Sequence, residues 1–277
     1  MIHAEPLEIG MEPFPGYRLI KPLGRGSFAE VWEAETKDGR KVALKFLFAE
    51  MSKTTPSEIR SLQAVRQLKH RNLVHIDRVW CHLGYIVVAM ELAEGSLTDL
   101  YEAHVSQTGR PLGVEHVLYF LSQAATALDF LNARQHRIDG TIVSVQHCDI
   151  KPSNMLLVGD VIKLCDFGIS TLMTSFDMIH KPVGTPDYCA PEIFKGRVSS
   201  RTDQYALAIS YCALRGGKLP FSDTPQGLPL TYVRPKPNLS MLPPKEQPIV
   251  ARALAPMPQD RWHSCAEFIE QLSHLYA

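Results

Sequence analysis

The sequence predicts an α+β chain: a small five-stranded antiparallel sheet with one helix, followed by a larger, mainly helical part. Three observations lead there. Between Tyr17 and Met90, short runs of β-branched and aromatic residues are separated by glycine-containing turns. Beyond Gly95 the apolar residues switch to helical spacing. The 277 residues, 45% of them hydrophobic, exceed one average domain and suffice for a large core, in one two-lobed unit or in two small domains.

Residues 1–16 carry several prolines and little periodicity, and read as a loose lead-in. Residues 17–23, 29–34 and 41–48 read as three strands of an antiparallel meander, joined by a glycine turn and by Lys37-Asp38-Gly39. In the first turn Gly24 and Gly26 remove the steric bar to a phosphate approaching the backbone amides. A simple hairpin is the alternative there. In the third strand Lys45 is the only charge inside an apolar run over 42–48, and a buried lysine demands a partner.

Residues 56–69 read as a helix, from the spacing of Ile59, Leu62, Val65 and Leu68. Glu58 lies one turn before Leu62 on the same face, which aims it inward as a partner for Lys45. Thr55-Pro56-Ser57-Glu58 is also a capping box with proline at the first helical position, and Glu58 then merely caps the helix. Strands at 74–81 and 85–90 complete the small lobe, and residues 90–95 connect it to the rest.

In the second part, residues 114–132 place Val117, Leu118, Leu121, Ala124, Ala125, Leu128 and Leu131 on one helical stripe. Residues 133–146, with basic and glycine content, read as an exposed loop. The proline-rich stretch 220–248 reads as surface loop, with a docking groove as the alternative. Residues 246–255 and 264–275 close the chain as two amphipathic helices.

Three blocks concentrate the polar chemistry: HCDIKPSN at 147–154, DFG at 166–168 and APE at 190–192. Asp149 could accept a proton from a substrate hydroxyl, Lys151 balance phosphate charge, and Asn154 offer a carbonyl oxygen to a cation. Asp166 follows a strand-like run, and hard oxygens from Asp166 and Asn154 suit magnesium that keeps waters and phosphate oxygens. Each tripeptide alone is common, and an Asp after a strand is more often a turn residue. Joined in this order, coincidence is small.

In this order the blocks resemble the catalytic loop, the magnesium-binding motif and the end of the activation segment of eukaryotic-type protein kinases. Val42-Ala43-Leu44-Lys45 is similar to the family's strand motif, and the loop from Gly24 to Ala29 to its glycine-rich loop, with Ala29 where a third glycine is usual. His70-Arg71-Asn72-Leu73-Val74 resembles a family turn with arginine in place of proline, and residues 90–95 resemble the hinge. Asp203 opens a stretch like the buried anchor helix, with Tyr205 and Ala208 in place of the usual Trp and Gly, and Arg261 stands where a cation pairs with the APE glutamate, here Glu192.

The resemblance covers nearly the whole chain from Tyr17 and implies a two-lobed protein-kinase fold, with a small ATP-binding lobe over 17–93 and a large substrate-binding and catalytic lobe over 94–277. It implies transfer of the gamma-phosphoryl of ATP to Ser/Thr hydroxyls of protein substrates, with Asp149 as base, Lys151 steadying the phosphate, and Lys45 with Glu58 positioning ATP. The nucleotide would be lined by Leu23, Gly24, Gly26, Ser27, Val31, Ala43, Lys45, Met90 and Leu156 and by the backbone of Glu91 and Ala93, and Mg2+ held by Asn154 and Asp166. Lys151 and Gly184-Thr185-Pro186 resemble the serine/threonine class, and the terse lobes resemble bacterial members. Cys148 replaces the arginine that, in regulated members, meets a phosphate on the activation segment. Two alternatives stay open: a non-catalytic pseudokinase scaffold binding ATP and protein partners, and a kinase of small molecules.

Composition narrows the remaining classes. Twenty-nine basic and 29 acidic residues cancel, and without a long run of either sign nothing argues for nucleic-acid or membrane-surface binding. Six cysteines without CxxC spacing and an opening without a signal-peptide pattern read as reduced thiols in a cytoplasmic compartment, in this chain alone or as the cytosolic part of a longer one, and not as a zinc site. No apolar run approaches the roughly 18–20 residues a bilayer span needs.

Overall fold

The computed structural model describes residues 7–26, 29–48, 66–82, 85–138, 140–167, 171–173, 184–222, 224–225 and 229–277. They fall into two units, Met1–Lys69 with Val74–Glu94, and His70–Leu73 with Gly95–Ala277.

Period-two burial builds the first unit. Strands β1 (Tyr17–Arg25), β2 (Ala29–Thr36), β3 (Lys41–Phe48), β4 (Ile76–His82) and β5 (Tyr85–Glu91) pair in the order β1-β2-β3-β5-β4, every neighbour antiparallel. Leu19, Trp32, Ala34, Val42, Leu44, Phe46, Tyr85, Val87 and Ala89 alternate onto one face and form its core. Side chains directly opposite one another in a ladder share a face. The pairings Val31 with Lys45, Lys45 with Val88, and Ala43 with Met90 therefore put all five on the other face.

The lead-in is not loose from Leu7 onward. The Gly10 N–H donates to the Leu19 carbonyl at 2.8 Å, and the Leu19 N–H to the Met11 carbonyl at 2.9 Å. Leu7 and Met11 pack against the sheet core, and the Phe14 ring sits 5.2 Å from that of Trp80. Proline there prevents a helix without preventing burial of the apolar residues between. Of the helix expected over 56–69, residues 56–65 lie outside the described residues, and residues 66–69 form a turn and irregular chain rather than helix.

In the second unit β6 (Gly95–Ser96) leads into α1 (Leu97–Thr108), a helix that sequence periodicity did not reveal. Its signal is a capping box: the Ser96 N–H donates to Asp99 Oδ2 at 2.7 Å and the Asp99 N–H to Ser96 Oγ at 3.3 Å. The helix α2 (Val114–Asn132) follows with its apolar stripe buried as the spacing requires, Leu118 only partly.

The exposed loop expected over 133–146 is instead a hairpin, β7 (His136–Ile138) and β8 (Thr141–Gln146), with Ile138, Val143 and Val145 buried. The β-branched residues of Thr141-Ile142-Val143-Ser144-Val145 favour a half-buried strand over a loop. Strand β9 (Met155–Val158) pairs with β10 (Val161–Leu164) on one side and with β6 on the other, while β11 (Thr171–Met173) pairs with β8. Thus the segments flanking 147–154 and 166 are both anchored in sheet.

Helix α3 (Thr202–Gly216) has twelve of its fifteen residues buried, so it runs through the core of this unit rather than over its surface. Helices α4 (Gln247–Ala253) and α5 (Cys265–Ser273) close the chain, and Asp129 of α2 accepts the Cys265 and Ala266 N–H groups at 2.8 and 2.9 Å, capping α5. Among the described residues of 220–246 there is no helix or strand, as the prolines predict. No helix among the described residues is long and apolar enough to cross a membrane.

Candidate active site

The loop between β8 and β9 is held in a conformation that costs energy. Cys148 and Asp166 both adopt positive φ, 65° and 66°, and a non-glycine residue there carries strain on the order of 1–3 kcal/mol. Asp203 of α3 stabilises the first: its carboxylate accepts the N–H groups of His147 and Cys148, each at 2.9 Å. Full burial pushes the Asp203 carboxyl up, and these two donors satisfy the oxygens it takes out of water.

His147 ties this loop to the segment of Asp166. Its Nδ1 accepts the Asp149 N–H at 3.3 Å, which assigns the proton to Nε2, and Nε2 donates to the Cys165 carbonyl at 2.8 Å. The Cys165 N–H in turn donates to the Asn154 carbonyl at 3.0 Å. Asp166 is thereby fixed next to Asn154 along the backbone.

Four donors converge on Asp149, whose residue is 8% exposed. Its Oδ1 accepts from the Thr185 N–H at 3.0 Å and from Thr185 Oγ1 at 2.7 Å; its Oδ2 accepts from Asn154 Nδ2 at 2.9 Å and from Lys151 Nζ at 3.1 Å. Burial pushes this carboxyl up, yet the Lys151 ammonium and the Thr185 hydroxyl outweigh burial and hold it below the usual carboxylate range. Asp149 is therefore a carboxylate at neutral pH, oriented on both oxygens.

Asn154 Nδ2 also donates to the Asp149 carbonyl at 2.8 Å. With its nitrogen committed to Asp149, the amide turns its oxygen the other way, the donor type magnesium takes. No three His, Cys, Asp or Glu side chains among the described residues group to hold a metal. One amide oxygen and one carboxylate fit an ion that keeps most of its waters and phosphate oxygens, and fit zinc poorly.

Thr185 opens a ledge that runs through the 3-10 turn Pro186–Tyr188 to Cys189. Gly184 before it has φ 106°, and a Cβ there would stand 2.5 Å from the Cys148 carbonyl oxygen. Only glycine lets the ledge approach the backbone of Cys148 this closely. Behind the ledge, Arg261 donates to both oxygens of Glu192, at 2.8 and 2.7 Å, with both side chains buried.

Other residues singled out in the sequence lie as follows. In the first unit, Val31, Ala43, Lys45 and Met90 share the sheet face away from its core, and Gly24 pairs with Val31. Leu23 stands at a register shift of β1 and is 45% exposed. The Glu91 N–H donates to the His75 carbonyl at 3.0 Å; Ala93 follows β5, half-buried, and Gly26 closes the turn with an N–H to the Ala29 carbonyl at 2.8 Å. Leu156 is half-buried on β9 of the second unit. Ser27 and Glu58 lie outside the described residues.

Two contributors were not legible as such. In the sequence Thr185 stands out only through the resemblance of Gly184-Thr185-Pro186 to the serine/threonine class and not as the partner of Asp149, and Arg234 is hidden in a proline-rich loop with no periodicity to mark it. For Thr185 the signal was its place between Gly184 and Pro186; for Arg234 there was none.

The protein kinase domain family matches residues 17–274. The chain is similar to the serine/threonine-protein kinase Pkn1 of Myxococcus xanthus, 32% identical over 91% of this chain and 37% of that protein. It is also similar to CBL-interacting protein kinase 4 of Oryza sativa subsp. japonica, 33% identical over 77% of this chain and 47% of that protein, and to the serine/threonine-protein kinase TIO of Arabidopsis thaliana, 32% identical over 74% and 15%. The chain thus spans less than half the length of each of these three relatives. The match from Tyr17 almost to the C-terminal residue, together with a carboxylate bound by the lysine and asparagine of one DxKPxN loop, places this chain in the protein kinase domain family.

Proposed function

We propose that this domain transfers the gamma-phosphoryl of ATP to serine or threonine hydroxyls of protein substrates. The observation that carries this is the Asp149 carboxylate, held ionised between Lys151, Asn154 and Thr185. An ionised carboxylate accepts the hydroxyl proton as the oxygen attacks phosphorus.

A carboxylate offers about four lone-pair sites, and four donors already fill them. An arriving substrate hydroxyl must displace one. Lys151 is the flexible member, its side chain 24% exposed, and moving from Asp149 to the transferring phosphate brings its charge where negative charge develops. Asn154 Oδ1 and the Asp166 carboxylate would hold magnesium, which would neutralise phosphate charge. By the family resemblance, in the small lobe over 17–93 Lys45 with Glu58 as its partner would meet the phosphates, Gly24, Gly26 and Ser27 would cover them, and Leu23, Val31, Ala43 and Met90 would line the base. The backbone of Glu91 and Ala93 binds adenine. Proteins, not nucleic acid, are the substrates, and the cytoplasm supplies the ATP.

The test is incubation with gamma-labelled ATP, magnesium and a basic protein, followed by phosphoamino-acid analysis. Label on serine or threonine, lost in Asp149→Asn, supports the proposal. Nucleotide binding without transfer indicates a scaffold, and label on a small hydroxylated compound alone indicates a different acceptor.

A further inference from the structure

Arg234 lies in the stretch that reads from sequence as plain surface loop, yet it is only 9% exposed. Its guanidinium is spent on the ledge: Nε donates to the Cys189 carbonyl at 2.8 Å, and Nη2 to the Asp187 carbonyl at 2.9 Å and to the Pro186 carbonyl. Nη1 reaches Thr224 Oγ1 at 3.3 Å. The guanidinium carbon lies 4.5 Å from the Phe221 ring centre and 5.3 Å from that of Phe194, and Phe221 stacks on Tyr205 of α3 with the rings 7° from parallel. The charge is met by carbonyl oxygens and aromatic faces, an arrangement that needs the planar fork of arginine.

The residue that precedes these carbonyls is Thr185, which holds Asp149 and Lys151. Position 148, just before Asp149, carries a thiol whose Sγ faces the Gln146 carbonyl at 3.6 Å, and a thiol cannot fasten a phosphate. The ledge is fastened instead by Arg234 on its carbonyls.

We propose that Arg234 is a positioning residue for phosphoryl transfer, holding the ledge from Thr185 to Cys189, and through Thr185 the Asp149 carboxylate, in working geometry without a phosphate on the activation segment. This rests on the kinase function proposed above.

The test compares wild type, Arg234→Met and Arg234→Lys. Small misplacements of reacting groups cost up to about a hundredfold in rate, so both variants should lose about tenfold or more of kcat/KM for a peptide, with KM for the peptide raised. Their affinity for magnesium-ATP, measured by calorimetry, should stay within about twofold of wild type. Amide hydrogen exchange over residues 185–189 should accelerate in both. Wild type dephosphorylated to completion, as checked by mass, should keep its initial rate within about threefold. Should the methionine variant not fold, the lysine variant, similar in size and charge, decides. A lysine variant with wild-type kcat/KM, a parallel loss of nucleotide affinity, or a tenfold loss on dephosphorylation overturns the inference. A wild type that transfers no label under any condition fails the kinase function itself.

Discussion

Thr185 Oγ1 donates to Asp149 Oδ1 at 2.7 Å and lies 2.6 Å from Lys151 Nζ, so one hydroxyl stands between the carboxylate and the ammonium of the catalytic loop. Hydrogen bonds to charged groups contribute about 1.5–3 kcal/mol. Thr185→Ala should therefore lower kcat by about tenfold to a hundredfold, and Thr185→Ser should restore most of it. Steady-state kinetics on both variants decide; an alanine variant at wild-type rate removes the hydroxyl from the site.

Asp149→Asn should reduce turnover by about a hundredfold or more while nucleotide affinity persists, because the amide fills the same volume and cannot take a proton. The wild-type carboxyl is held below its ordinary range, so its charged form is favoured by folding. Its contribution to stability is complete above the unfolded pKa, about 3.9, and is lost only as pH falls through the lower folded value. The pH profile of kcat/KM should accordingly show no acid limb from Asp149 between about pH 5 and 8. A limb there that survives correction for ATP ionisation contradicts the assignment.

Arg261 and Glu192 are both buried, and Arg261 also donates to the Ala255 and Arg201 carbonyls at 3.0 and 2.9 Å. Removing one partner of a buried pair leaves an uncompensated charge, at a cost of about 3–5 kcal/mol. Arg261→Ala should lose that much stability in urea unfolding. A change below about 1 kcal/mol would show that water reaches Glu192.

Asp203→Asn keeps one acceptor oxygen but turns an NH2 group toward one of the His147 and Cys148 N–H donors. An unsatisfied buried donor costs about 1–3 kcal/mol, and the strained backbone at Cys148 loses its restraint. Lower kcat with unchanged magnesium-ATP affinity is the expected outcome; equal losses in both would assign Asp203 to general stability.

Glu58→Gln separates the two roles available to Glu58. Damage to catalysis at unchanged melting temperature supports partnership with Lys45. A lower melting temperature alone, equivalent to about 0.5–2 kcal/mol, supports the helix cap.

By itself the sequence determined what is local. An apolar run broken only by Lys45 marks β3, the 3.6-residue stripe delimits all nineteen residues of α2, and HCDIKPSN places an acid, a cation and an amide within one loop. Such patterns are legible because each residue's face follows from its neighbours' spacing. The tertiary structure decided what is distant along the chain: Thr185 against Asp149, Arg234 on the carbonyls of Pro186, Asp187 and Cys189, and the strand register that sets Val31 opposite Lys45 and Ala43 opposite Met90. It also made a half-buried hairpin of residues 136–138 and 141–146 and gave the lead-in from Leu7 a place on the sheet core. The physical reason is that a buried carbonyl or carboxylate must find a donor, and nothing in a strand or helix period says which remote side chain supplies it.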